Sequence, residues 1–182
     1  MRVAIGCVLV LVLAGCGSAN AGRSNDPNPP SIPSYTPGPS TPGAVFSFSA
    51  QDGAHPVKSR SGQWSTPDNE ISVAEHENVV KIDAETDRGF DWIALELRAP
   101  GGVPLAEGSY PDARNRERFP DGPGMQVVSN GLGCGDEFGE FVIDRIERSD
   151  GRLTGLDAGW VQSCGAVDKP VFTGRVHFQA QS

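Results

Sequence analysis

After Ala14 this 182-residue chain has no continuous apolar run of any length. Nothing beyond that point approaches the roughly 20 residues a helix needs to cross a bilayer. Helical periodicity is missing too. No window of a dozen residues sets apolar side chains at i, i+3, i+4 and i+7 between caps, which argues against a helical bundle. Positive charge is scarce: 15 Lys and Arg stand against 23 Asp and Glu, a formal net charge of −8. That excludes general attraction to nucleic acid or to an anionic membrane surface. There are only three histidines, His55, His76 and His177, and they are scattered. A metal site built from them would require the fold to bring them together. No G-x-S-x-G is present for a serine hydrolase. Glycine and proline, by contrast, are abundant, at 23 and 15, as expected of a turn-rich fold with a non-globular stretch.

The first residues are the exception to the lack of apolar runs. Met1-Arg2 is a short positive start, and Val3 to Ala14 is apolar apart from Gly6. About a dozen such residues suit the hydrophobic region of a signal peptide and are too few for a transmembrane helix. The run ends in Leu13-Ala14-Gly15-Cys16, which resembles the lipobox of bacterial lipoproteins. The resemblance implies that Cys16 receives a diacylglycerol group and becomes the mature N-terminus. Residues 1–15 would then be removed, and Cys7 with them. Two or three acyl chains suffice for stable anchoring, each buried CH₂ adding about 0.8 kcal/mol. The alternative is an ordinary secretory signal peptide with a chance cysteine at its end.

Residues 16–43 carry seven prolines among Ser, Asn, Gly and Thr, with little to bury, and are expected to form a disordered Pro-rich tether. From residue 44 to 182 the pattern becomes short strands parted by turn signals. Val45–Ser49, Val79–Asp83, Asp91–Leu97, Met125–Val128, Phe141–Glu147, Leu153–Cys164 and Val171–Phe178 are the strand candidates. Seven to nine strands in one domain predict an all-β fold, an antiparallel β-sandwich or a small barrel.

With Cys16 modified, Cys134 and Cys164 remain. In an exported protein an even pair reads as a disulfide. A redox pair would usually be C-x-x-C, and a zinc site needs more ligands at short spacing. Ala99-Pro100-Gly101, Leu105, Gly108 and Tyr110, then Gly133-Cys134, Gly139 and Phe141, then Cys164 and Gly174 together resemble an exported all-β domain found in many bacterial proteins of unknown function. The likeness covers about half the chain, Phe90 to Phe178. It implies the all-β fold with this cysteine pair and no particular activity. The chain departs from that pattern at Gly165, where an acidic residue would follow the second cysteine.

Four features are candidates for chemistry. Arg114, Arg116 and Arg118 stand at period two in an acidic background, where a row of guanidinium groups would hold a carboxylate or phosphate; the other reading is a loop whose arginines pair with Asp112, Glu117 and Asp121. Trp92 alternates away from Ile93, Leu95 and Leu97 and offers either a stacking surface or a second core layer. Asp83, Glu85, Asp87 and Asp91 place carboxylates at alternate positions as a calcium loop does. However, glycine falls at the seventh place and Ala94 at the twelfth, so an acidic turn facing water is the simpler reading. Asp136, Glu137 and Glu140 would serve glycoside hydrolysis only if a cleft set their separation; the simpler reading is solvated acids in an acidic protein. Trp160 shares its alternation with Leu156 and Cys164 and is expected in the core. No cofactor is expected. The reading is a membrane-tethered, non-catalytic binding module for an envelope protein or glycan. The alternatives are an envelope enzyme using cleft carboxylates and a structural envelope protein.

Overall fold

The computed structural model describes residues 31–36 and 42–181. Strand follows strand: β1 (Gly43–Ala50), β2 (Ser61–Ser65), β3 (Glu70–His76), β4 (Val79–Glu85), β5 (Trp92–Arg98), β6 (Gly108–Asn115), β7 (Gly124–Ser129), β8 (Leu132–Gly133), β9 (Glu137–Ser149), β10 (Arg152–Cys164) and β11 (Val171–Gln179). Ten of them form a single path, β2-β1-β11-β10-β9-β6-β7-β5-β4-β3, with β8 paired to β7. The two ends of that path, β2 and β3, are consecutive in sequence and joined only by residues 66–69. The chain therefore bends from one sheet edge to the other, and the sheet becomes a nearly closed barrel. Of the two expected architectures, the barrel is the one formed. Closure also leaves few unpaired strand edges.

The expected pairing was antiparallel. One exception occurs, where Arg114 and Asn115 of β6 lie parallel to Gly124 and Met125 of β7. The connection between them, residues 116–123, is too short for a full crossover. β7 therefore starts beside the end of β6 and runs on past it.

Period-two alternation sets the inside of the barrel. On β1, Ala44, Phe46, Phe48 and Ala50 are buried; on β5, Ile93, Leu95 and Leu97; on β10, Leu156, Ala158 and Trp160. The interior is filled, not hollow. Trp160 is fully buried with its ring centroid 5.2 Å from Phe46 and 5.7 Å from Phe172, while Phe48 packs edge-on to Trp64 at 4.9 Å. Gly174 faces Trp160 across the β10–β11 ladder. A Cβ there would lie 2.4 Å from the indole ring and 2.7 Å from the Ser47 carbonyl oxygen, so glycine leaves the space the indole occupies.

Four strands escaped the sequence pattern, one of them the two-residue β8. β2 buries only Trp64. β3 turns Glu75 toward Arg148 of β9, which grips it with two hydrogen bonds of 2.6 and 2.7 Å and also donates to the Leu105 carbonyl. This fork ties the last strand of the path to its middle. β6 carries Pro111 and Asp112 as an irregularity opposite Glu140, and that obscures its alternation.

The expected tether also departs from the pattern in part. Ser31–Thr36 lies against the outer face of the barrel, where Arg175 donates to the Pro33 carbonyl at 2.6 Å and Tyr35 to Asp157 at 3.2 Å. The segment contains Ile32 and Tyr35, the apolar contacts that a count of prolines overlooks. Cys16 and residues 1–15, the expected signal peptide, lie outside the described residues.

Candidate functional site

The long β9–β10 hairpin ends where Glu137 pairs with Cys164. There the Cys134–Cys164 disulfide, with 5.8 Å between Cα atoms, ties the loop before β9 to the end of β10. Gly165 donates to the Asp136 carbonyl at 2.9 Å, which holds the loop after β10 against the same corner. The expected disulfide is present, and Cys134 is 3% exposed.

Around this staple lies a polar cluster built from β6, β7 and β9. Glu137 is fully buried. Its two carboxylate oxygens accept from the Asn115 amide at 2.8 Å and from the Val127 backbone N–H at 3.2 Å. Asn115 also reaches the Cys134 carbonyl at 3.4 Å. Burial pushes the Glu137 pKa above its ordinary value, against those hydrogen bonds, which favour the carboxylate. Sequence reasoning placed this acid among solvated ones. No sequence signal marks its burial, because its partners Asn115 and Val127 lie 22 and 10 residues away and meet it only through strand pairing.

Because its pKa is raised, Glu137 contributes stability below the ordinary carboxylate value of 4.5, and that contribution is lost as pH rises through the folded-state value. In Glu137→Gln this titration is gone. The stability of the wild type relative to the variant is expected to be greater at pH 4 than at pH 7 in urea unfolding. An equal difference at both pH values would show that burial does not raise this carboxyl.

Arg114 leads from this cluster to the surface. Its guanidinium donates to the Glu137 carbonyl at 2.9 Å and to Asp136 at 2.7 Å. It also lies between two rings, 3.8 Å from the centroid of Phe138 and 4.2 Å from that of Phe119. A cation held between aromatic faces and a carboxylate is fixed in place. Beyond it opens a groove of about 580 Å³ across the outer face of β6, β9 and β10. Phe138, Val161 and Val171 give the groove apolar surface, Val167 stands 78% exposed at its edge, and Asp112 and Glu140 line it with carboxylates. Neither of these two carboxylates has an ion pair or side-chain hydrogen bond among the described residues.

The expected arginine row does not assemble. Arg114 is in β6, whereas Arg116 and Arg118 lie in the turn that follows. Arg116 pairs with Glu96 at 2.6 Å and with Glu117 at 3.9 Å, and Arg118 donates to the Gly135 carbonyl at 3.0 Å. The chain turns after Asn115, whose side-chain oxygen accepts from the backbone of Glu117 and Arg118, so period two no longer means one face. The partners are Asp136 and Glu96, with Glu117 third, not Asp112 or Asp121. Trp92 is half-buried on the outer face of β5, its backbone tied to Asn130 and Ser129.

The alternating acids are likewise spread out. Asp83 pairs with Lys81 at 3.0 Å, and Asp91 pairs with Arg60 and accepts from Asn130 at 2.9 Å. Glu85 ends β4, and the side chain of Asp87 lies outside the described residues. No group of three or more His, Cys, Asp or Glu gathers among the described residues.

A second polar cluster sits on the outer face of β10 and β11, around Asp157, and its side chain is 3% exposed. It accepts from Arg145 at 2.6 Å, from His177 at 2.7 Å and from Tyr35. Since a carboxylate only accepts, His177 carries its proton on Nδ1. Burial alone would raise the Asp157 pKa. The hydrogen bonds and charges of Arg145 and His177 outweigh it and hold the carboxyl below its ordinary value.

No family model matches the chain, and no curated protein or solved structure does so either.

Proposed function

We propose that this chain is a lipid-anchored protein of the bacterial cell envelope whose barrel domain binds an envelope protein or glycan without catalysing a reaction on it. The lipobox-like Leu13-Ala14-Gly15-Cys16 supports the anchor, with the acyl chains on Cys16 holding the protein at the extracytoplasmic face of the membrane. The observation that carries the binding role is the groove beside Arg114. The ion pairs Arg145–Asp157 and Arg116–Glu96 occupy other parts of the outer wall, whereas here apolar side chains line an open concavity beside the carboxylates of Asp112 and Glu140. Such a mix of apolar surface and a few polar groups is the usual make-up of a recognition site.

An enzymatic reading has less support. The acid with the raised pKa, Glu137, is buried in the wall and does not line the groove. Asp136 is neutralised by Arg114.

The groove is tested in cells with a photo-crosslinking amino acid at Val167, and with the same group at exposed Val103 as control. A discrete adduct with an envelope protein or glycan from Val167 and none from Val103 is expected. No adduct from either position, or the same adduct from both, would count against the groove as a recognition site.

A further inference from the structure

β10 reads Gly155-Leu156-Asp157-Ala158-Gly159, and its outward positions are Gly155, Asp157 and Gly159, a buried carboxylate with a glycine two residues to either side. Both glycines are covered at close range. A Cβ at Gly155 would lie 2.8 Å from the Arg145 guanidinium, and one at Gly159 would lie 2.6 Å from a methyl group of Ile32 and 2.8 Å from Arg175. The missing side chains let two guanidinium groups and an isoleucine lie directly on the strand backbone. Three residues of Ser31–Thr36 use this seat. Ile32 rests on Gly159. The Pro33 carbonyl accepts from Arg175, itself fixed by Asp144. The Tyr35 ring lies 5.1 Å from the Arg175 guanidinium, and its hydroxyl donates to Asp157. A cleft of about 400 Å³ lies between this segment and the strands, lined in part by His177, Ser47 and Gln63. The Nε2 of His177 is buried and has no hydrogen-bond partner among the described residues.

We propose that the Asp157 face is a peptide-recognition site occupied by the chain's own Ser31–Thr36, which acts as a strap across the barrel. The chemistry recognised is an extended Ile-Pro-x-Tyr segment. It offers an apolar side chain to a glycine, a carbonyl to an arginine, and a phenol to a carboxylate whose other acceptor positions are taken by Arg145 and His177. Proline restricts the free segment to extended conformations, so less entropy is lost on docking. The strap changes what the tether does. With residues 16–43 all free, the domain would reach about 85 Å from the membrane in extended polyproline form. With the strap seated, the reach is counted from Ser31, next to Ile32 on Gly159, so at most the contour length of residues 16–30, about 45 Å at full extension, would separate the barrel from the membrane. This reach rests on the lipid anchor proposed above. The docking does not.

Chymotrypsin cleavage after Tyr35 in the natively folded, detergent-extracted protein tests the strap. The bond is expected to be cut at least tenfold more slowly than in a synthetic peptide of residues 28–39. Gly159→Val, which fills the place of the Ile32 methyl group from outside the core, should bring the rate to within a few-fold of the peptide. Tyr35→Phe alters only the strap and keeps a cleavable residue, so it remains informative if the glycine variant fails to fold; a several-fold acceleration is expected. Wild-type cleavage at the peptide's rate would overturn the proposal, as would equal rates for wild type and Tyr35→Phe. The rate is read whether or not Cys16 carries lipid, so failure of the anchor and failure of the strap are told apart.

Discussion

Replacing both Cys134 and Cys164 by alanine is expected to lower the stability of the barrel by about 3–4 kcal/mol, the chain-entropy value for a closed loop of about 30 residues. For a domain of this size that corresponds to a drop of roughly 6–16 °C in the unfolding midpoint. The loop being closed contains β9 and nearly all of β10, the two longest strands. In the unfolded chain the bond therefore restricts the segment that forms the centre of the sheet path. The bond also secures the corner that holds Glu137, Asn115 and Arg114. Loss should accordingly be felt at the groove as well as in stability, since Arg114 is held by Asp136 and the Glu137 carbonyl in the loop just after Cys134. Thermal and urea unfolding of wild type and double variant, both without reductant, give the number. A change below about 1 kcal/mol would mean that native-state strain cancels the entropic gain.

The second large effect is expected at Trp160. Truncation to alanine should cost about 3–5 kcal/mol, because the indole touches Phe46 and Phe172 and fills the space left by Gly174. The converse substitution, Gly174→Ala, destabilises by overpacking, since the added methyl meets both the ring and the Ser47 carbonyl, and backbone does not move aside readily. The two sites share one volume, so their effects are expected not to add: in the Trp160→Ala background the cost of Gly174→Ala should shrink. Urea unfolding of the two single variants and the double variant measures this coupling. Strict additivity would indicate that the ring does not sit where Gly174 admits it.

Much of the barrel is legible in the sequence wherever one face alternates cleanly. Val45–Ser49, Ile93–Leu97 and Val171–Phe178 all lie in strands, Trp160 is in the core, and the cysteine pair is bonded. Legibility fails where an inward position is polar or the backbone departs from period two. Glu75 points to Arg148 from a position that would otherwise be apolar, and Pro111-Asp112 breaks the alternation of β6. The site is harder to read than the fold for a related reason. Arg114 finds its partners at Asp136 and Glu137, 22 and 23 residues away, and Tyr35 finds Asp157 at a separation of 122. Sequence neighbours such as Asp112 or Glu117 are the natural guess for an arginine, but strand pairing decides which acid is near. Glu137 and Asp157 are ordinary acids in the sequence. Their burial depends on β6, β7 and β11, which reach them only in the closed sheet.

The proposed lipid anchor at Cys16 would hold the groove at the membrane surface and give the strap its effect on reach, whereas the docking of the strap does not depend on it. Intact mass and N-terminal sequencing of the protein extracted from its own membranes test this directly, alongside Cys16→Ala. A mature chain beginning at Cys16 with the mass of attached acyl chains is expected, and Cys16→Ala should yield an uncleaved precursor or an unlipidated released protein. A wild-type chain that begins elsewhere without lipid, or a Cys16→Ala protein with the wild type's processing and location, would contradict it.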